Sequence, residues 1–366
     1  MQVLHVSPRF SPFTGGVETV VGQYVSFLLR SSIPTSVASA DLPSFHSPRV
    51  DFLPAPVYRF PSLSPSESFF FSPSLLSFVR RFDRSDSIIH AHNFHAFPAL
   101  FAALSSSRAR FVFQPHYHGS GHSPSRSVLF SLYRRFFGPL LLRRADLLLF
   151  VSSAEQRLLA SHFPSFRDKI FAGTVLPNGV DCSSLSLKPS HPSSRSLLTL
   201  SRLERYKGVH FVLGALSLLN RSSRQPWHYL IRGSGPFFPS LSSLVDRLHL
   251  SSHVTWLPFL SEPAKRSLLH QSRLFILLSS NEAYGLAVAE ALAAGTPSIV
   301  LAKGGLRQFI DDETCFGVPE PLSARLVARA IESVDQHLSH HPPRRGRVHC
   351  LSDTLPKLLD VYSSLL

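Results

Sequence analysis

Cysteine is scarce in this chain of 366 residues: Cys182, Cys315 and Cys350 are widely separated and odd in number. Such a pattern implies neither a disulfide framework nor a zinc knuckle, and a reducing cytoplasm is the simplest compartment for it. No stretch approaches the ~18 consecutive apolar residues that span a bilayer, which restricts membrane association to the periphery. The N-terminus opens on an alternating strand pattern rather than the basic region and apolar core of a secretory leader. The glycine fingerprint GxGxxG is missing as well, which argues against a dehydrogenase-type nucleotide site at this end. Acidic residues are in deficit, 23 against 37 Lys and Arg, for a net charge of +14. That surplus calls for an acidic partner: nucleic acid, a nucleotide or an anionic membrane surface.

What the chain does contain is 44% hydrophobic residues and enough length for two domains with cores of their own. Strand-like runs at 2–6, 35–40, 87–91, 111–114 and 145–152, and again at 197–200, 228–232, 254–257, 274–278 and 298–302, alternate with helical periodicity. That is the pattern of two parallel sheets wrapped by helices. A polar linker, 183–196, divides them into domains of residues 1–182 and 183–352, with a last helix at 353–366 packing back on the first. Two doubly wound domains facing across a cleft would bind ligands beyond the carboxyl ends of their strands.

The stretch from Asn281 to Pro297 organises the second domain. A helix from Leu286 to Ala294 ends at Gly295, which can adopt the left-handed conformation, and Pro297 prevents continuation. Its N-terminus, preceded by Gly285, offers free backbone N–H groups to a phosphate. Glu282 and Glu290 bracket that anion site and suit sugar hydroxyls, since they would repel the phosphate itself. Arg202 and Lys207 lie on a loop directly after a strand, a planar fork and a compact charge suited to a diphosphate. Gly233 to Pro236 follows the next strand.

In the first domain, Gly15 and Gly16 sit between strand and helix, where they serve either a tight turn or a phosphate cradle. His90, His92 and His95, and His116, His118 and His122, fall at strand ends. His-x-His spacing admits a metal, but no cysteine and few carboxylates accompany it, so hydrogen bonding to a polyhydroxyl ligand suits these rings better and no metal is expected. Phe69 to Phe71 read either as a membrane-facing patch or as inward-packed aromatics. Residues 125–144 mix apolar side chains with five arginines, which fits a helix lying on anionic lipid as well as a core helix with a basic rim.

Taken in order, Gly15-Gly16-Val17-Glu18, His90-Ala91-His92-Asn93, Pro115 to His122, Leu176 to Asp181, Arg202 through Gly208, Gly233 to Pro236 and Glu282 to Glu290 as an E-x7-E element resemble family 4 glycosyltransferases. The resemblance covers nearly the whole chain. It implies the GT-B fold, two Rossmann-like domains across a cleft, and retaining transfer of a sugar from a nucleotide diphosphate donor (UDP-, GDP- or ADP-linked) to a lipid-linked or glycan acceptor in polysaccharide or glycolipid synthesis of the cell envelope. It further implies that Arg202 and Lys207 hold the donor diphosphate, Gly285 and Leu286 offer it amides, Glu290 holds the ribose, and Glu282 contacts the transferred sugar, with Gly15 and Gly233 also among the donor-binding residues. Gly16 would lie near donor phosphate and acceptor. His116 or His118 would stand beside the reacting carbon, and neither metal nor other cofactor is required. Arg307 and Gln308 depart from the pattern, in which a glutamate often follows the Gly304-Gly305 pair.

Two other functions fit the same features. A nucleotide-sugar epimerase of this fold would alter the donor without acceptor, and a basic nucleic-acid-binding protein would keep salt-sensitive oligonucleotide binding after loss of Glu290. The ordered motif set favours transfer, with no nucleic acid as partner.

Overall fold

The computed structural model describes residues 1–64, 69–119, 121, 124–182, 194–221, 225–341 and 344–366. Most of the linker read at 183–196 lies outside these residues, as does His122. The chain forms two compact units, Met1–Asn178 with Ser352–Leu366, and Gly179–Leu351.

In chain order the first unit contains β1 (Gln2–Ser7), α1 (Gly16–Arg30), β2 (Thr35–Pro43), β3 (Arg49–Phe52), β4 (Pro56–Ser62), α2 (Pro73–Val79), β5 (Ser87–His92), α3 (Phe97–Ser105) and β6 (Arg110–Gln114). It continues with α4 (Pro124–Arg144), β7 (Leu147–Phe150), α5 (Ser153–His162), α6 (Arg167–Ala172) and β8 (Thr174–Val175). The sheet order is β3-β4-β2-β1-β5-β6-β7-β8, parallel except where β3 runs against β4. Helices cover both faces, so β5 and β6 carry buried side chains at successive positions rather than alternating ones.

Two features of this unit were hidden from periodicity. The strand β4 sits in a region without an apolar repeat because Arg59, only 1% exposed, is held by charge: its Nη1 donates to Asp41 Oδ2 and its Nε to Asp51 Oδ2, each at 2.5 Å. An unpaired guanidinium there would cost several kcal/mol, of order 3–5. The Phe69 to Phe71 triplet packs largely inward, with Phe70 buried and the Phe69 ring edge-on to Phe130 at 5.5 Å.

The second unit contains β9 (Ser196–Leu200), α7 (Val209–Asn220), β10 (His228–Arg232), α8 (Phe238–Arg247), β11 (Val254–Leu257), α9 (Glu262–Gln271), β12 (Leu274–Leu277), α10 (Leu286–Ala293), β13 (Ser298–Leu301), β14 (Cys315–Val318) and α11 (Ala324–His340). Its parallel sheet runs β11-β10-β9-β12-β13-β14. The final helix, α12 (Leu351–Ser363), returns to the first unit, where buried Tyr362 meets His90 Nδ1 at 2.6 Å through its hydroxyl. Among the described residues no helix is long and apolar enough to cross a membrane.

Both sheets reverse their order next to the first strand: between β1 and β5 in one unit, between β9 and β12 in the other. Loops leaving such neighbours diverge to opposite faces and open a crevice at the carboxyl ends. Those ends carry Gly15, Gly16 and His92 in the first unit, Arg202 and Glu282 in the second.

The cysteine reading is corrected here. Cys182 and Cys350 form a disulfide with their Cα atoms 5.5 Å apart, leaving Cys315 free and buried. A separation of 168 residues concealed the pair. The segments entering and leaving the second unit run side by side: Val180 N–H donates to His349 O at 2.9 Å and Leu351 N–H to Val180 O at 2.9 Å. The cysteines therefore no longer argue for a reducing compartment. Reduction, or Cys182→Ser, is expected to lower stability by about 2–4 kcal/mol through the freed loop entropy. A denaturation midpoint that ignores thiol reagent, with three titratable thiols in the unfolded chain, would remove the disulfide.

Candidate functional site

Beyond β9 the chain forms a 3-10 turn at Arg205–Lys207 that ends on Gly208. A Cβ at Gly208, where φ is 75°, would meet Leu278 O at 2.6 Å, so only glycine lets this turn lie over the end of β12. Ser280 N–H donates to Tyr206 O at 3.0 Å and ties the two loops together. Lys207 Nζ consequently donates to Glu282 Oε1 and lies 5.0 Å from the Tyr206 ring centre. Burial alone would lower the Lys207 pKa; the facing Glu282 carboxylate outweighs it, so the net shift is upward and the ammonium keeps its charge. Arg202, partly exposed, pairs with Glu204 at 3.4 Å, and its charge acts on both Lys207 and Tyr206. The two cations thus share one mouth.

The helix α10 starts from Gly285, whose φ of 101° and whose contact with Leu306 exclude a side chain. The first-turn amides of such a helix have no intrahelical acceptor and carry the positive end of its dipole. Glu290, one turn further on, is engaged: Lys265 Nζ on α9 donates to its Oε1 at 2.9 Å and also pairs with Glu262 at 2.9 Å. Burial raises the Glu290 pKa, and Lys265 opposes that rise without cancelling it. Sequence reasoning missed Lys265; the run Glu262 to Lys265, an acid and a base three apart at a helix start, is the signal it left.

Gly233 has a packing reason. A Cβ there would lie 1.8 Å from Ser201 O, so the residue lets the loop bearing Arg202 settle against the end of β10, where Leu203 N–H donates to Ser234 O at 2.9 Å. Gly305 N–H likewise donates to Glu282 O at 2.9 Å, and Gln308 Nε2 donates to Gly305 O at 2.7 Å. Gln308 therefore braces the loop that carries Glu282.

In the first unit Gly15 caps α1, and Glu18 folds over it to meet Arg9 Nε at 3.2 Å. The side of Gly16 where a Cβ would stand is open, with nothing within 4 Å. The first unit also holds a chain of buried imidazoles. His5 on β1 is the register partner of His90 on β5; His5 Nδ1 contacts His92 Nε2 at 3.1 Å, and His92 Nδ1 contacts His116 Nε2 at 3.3 Å. Burial pushes His5 and His116 down to about 3 and holds His90 and His92 well below the usual histidine range, so all four are neutral near pH 7.

His116 is held at φ 46°. The next residue explains how: Tyr117 N–H donates to Glu155 Oε1 at 2.5 Å, while Val151 N–H donates to Glu155 Oε2 at 2.7 Å. Burial pushes the Glu155 carboxyl up to about 8. His118 lies outside the imidazole chain, half-buried, its ring 6.3 Å from that of Phe130. The expected grouping of His90, His92 and His95 does not form: His95 stacks on Phe130 at 4.0 Å, and His5 takes its place. His5, His90 and His92 each bring a ring nitrogen within 4.8 Å of the others, the spacing of a metal ligand set, with no carboxylate in the group. His5, Glu155 and Tyr362 carried no sequence signal, since each acts through a partner remote in the chain.

Residues 14–184 match the family described as Glycosyltransferase Family 4, and residues 188–340 that described as Glycosyl transferases group 1. The uncharacterised glycosyltransferase YqgM of Bacillus subtilis is 30% identical over 66% of this chain, which spans 64% of that relative's length. D-inositol 3-phosphate glycosyltransferase of Corynebacterium urealyticum is 24% identical over 82% of this chain and 77% of its own. Among solved structures, Anabaena HepE in complex with UDP and glucose covers 100% of both chains at a TM-score of 0.76 and 19% identity. Sucrose-phosphate synthase from Thermosynechococcus elongatus covers 100% of this chain and 99% of its own at 0.74 and 17%. These likenesses, with the two parallel sheets, show the GT-B fold. The two family models and relatives of one kind support a family 4-type glycosyltransferase.

Proposed function

We propose that the protein transfers a hexosyl group from a nucleotide diphosphate sugar to a hydroxyl of a lipid-linked or glycan acceptor, with retention of anomeric configuration, in polysaccharide or glycolipid synthesis of the cell envelope. The observation that carries the reading is the Lys207–Glu282 pair beside the N-terminus of α10. Lysine has three N–H donors, so Lys207 can keep Glu282 and still reach a phosphate oxygen. With Arg202 and the amides of Gly285 and Leu286 it would neutralise the charge that develops on the departing diphosphate. The second oxygen of Glu290 would accept from the ribose, while Lys265 holds the first and opposes the upward shift that burial imposes on the carboxyl. Glu282 would hold a hydroxyl of the transferred sugar.

On the acceptor side the neutral His116, braced by His92 and by Glu155 through Tyr117, would accept or donate one hydrogen bond at the sugar, near Gly16. Front-face attack, with the leaving phosphate as base, accounts for retention without a covalent nucleophile. UDP-sugars are the first donors to test, because HepE structures hold UDP and UDP-glucose.

A thermal-shift screen with UDP-, GDP- and ADP-sugars is expected to show stabilisation by one nucleotide series. Glu290→Ala should weaken that nucleotide by roughly 10- to 100-fold, the cost of one or two charge-assisted hydrogen bonds, with some lowering of the unliganded transition because Lys265 is left with Glu262 alone. No shift with any nucleotide would overturn the assignment.

A further inference from the structure

The first unit has a cavity of about 660 Å³ beside α4 that the transfer reading does not use. Val128, Leu132 and Pro139 give it apolar walls, and Arg134, Arg135 and His162 give it basic ones; among the described residues no acidic side chain lines it. The polar chemistry is one-sided. His162 Nδ1 lies 2.5 Å from Tyr117 Oη and 3.2 Å from Arg134 Nη1. Arginine cannot accept, so Nδ1 is the acceptor and the ring proton sits on Nε2. The cavity walls therefore supply N–H donors from two guanidiniums and an imidazole, which is the complement of phosphate oxygens.

The surface around it is unlike that of a site for a free anion. Along α4, Val128, Leu132, Arg135, Phe136, Pro139 and Arg143 recur at intervals of three and four and so share one face. Val128 is 62% exposed, Leu132 49% and Phe136 69%. Apolar side chains in that setting are stabilised by hydrocarbon, while interspersed arginines are stabilised by headgroup charge. The geometry points to α4 as the segment that lies on an anionic phospholipid bilayer, with a headgroup phosphate seated in the cavity between Arg134, Arg135 and His162. This surface also bears on the site, since Arg134 Nη1 reaches Gly119 O at 3.5 Å and Tyr117 Oη at 3.4 Å, next in sequence to His116.

The test is flotation of the full chain with phosphatidylcholine vesicles, with and without phosphatidylglycerol. Retention is expected on the anionic vesicles alone. Arg135→Glu should cut the partition coefficient by roughly 10- to 30-fold, as expected for reversing one charge near an anionic surface. Phe136→Ser should leave binding at low salt but release the protein as salt rises. Arg143→Glu, at the far end of the same face, serves if Arg135→Glu does not fold, and nucleotide thermal shift reports folding of each variant. Equal retention on neutral vesicles, indifference to both charge reversals, complete release by soluble glycerol phosphate, or binding to an oligonucleotide instead of vesicles would each overturn the proposal. The assay involves no sugar transfer, so its failure leaves the proposed reaction standing, and an inactive but vesicle-bound protein does the reverse.

Discussion

Lowering the pH from 7 toward 4 is expected to unfold the first unit. His5, His90, His92 and His116 are buried and neutral in the folded chain, with pKa values depressed below the unfolded value of ~6.5. A depressed histidine contributes stability that is complete above the unfolded pKa and is lost as pH falls toward the folded one, here about 3 for His5 and His116. For His5 and His116 this amounts to about 2 kcal/mol each between pH 7 and 5, and His90 and His92 act in the same direction. Glu155 acts with the opposite sign: its folded pKa of about 8 lies above the unfolded value, so it binds a proton in the folded state through this range and offsets a little more than one histidine. With four histidines against one glutamate the balance is a loss of stability, drawn from a total that is roughly 5–15 kcal/mol for many domains. Circular dichroism against pH should show a cooperative transition between about pH 4 and 5.5. His5→Phe or His92→Phe should move it downward by removing one protonation site, at some cost in packing. A protein folded at pH 4, with histidine ring resonances titrating near 6.5, would contradict the buried chain.

Replacing Lys207 by alanine is expected to reduce transfer by at least about 10²- to 10³-fold, the scale observed when one preorganised donor to developing charge is removed. Most of the loss should fall on binding and on departure of the diphosphate, so donor affinity drops together with turnover. The same variant leaves the largely buried Glu282 carboxylate without its cation, which should cost about 1–3 kcal/mol of stability. Lys207→Ala with Glu282→Ala removes both charges and should regain part of that stability while staying inactive. Isothermal titration with the stabilising nucleotide, run beside a denaturant midpoint for each variant, separates the two effects. If the single variant keeps its nucleotide affinity, Lys207 is a structural cation and the diphosphate assignment fails.

Five of the six strands of the second sheet were legible as short apolar runs that stand out from the loops after them, whereas β14, four residues with a glycine inside, carried no such run. The helix from Leu286 was legible for the same reason, with Gly285 and Gly295, both at positive φ, marking its ends. Less visible was the edge of the first sheet. There Arg59 is buried by two aspartates from other segments, and the apolar rhythm that normally announces a strand is replaced by charge pairing.

The sequence alone determined the fold class and the order of the motifs, because alternating apolar runs and glycine turns are local properties, readable within one turn or strand. The partners were decided by tertiary structure. The Cys182–Cys350 bond, Lys265 on Glu290, Lys207 on Glu282 and the imidazole chain from His5 to His116 join residues tens to more than a hundred positions apart. Charge state and side-chain position depend on burial and on distances of a few ångströms, and those exist only once parallel strands from separate parts of the chain are brought side by side.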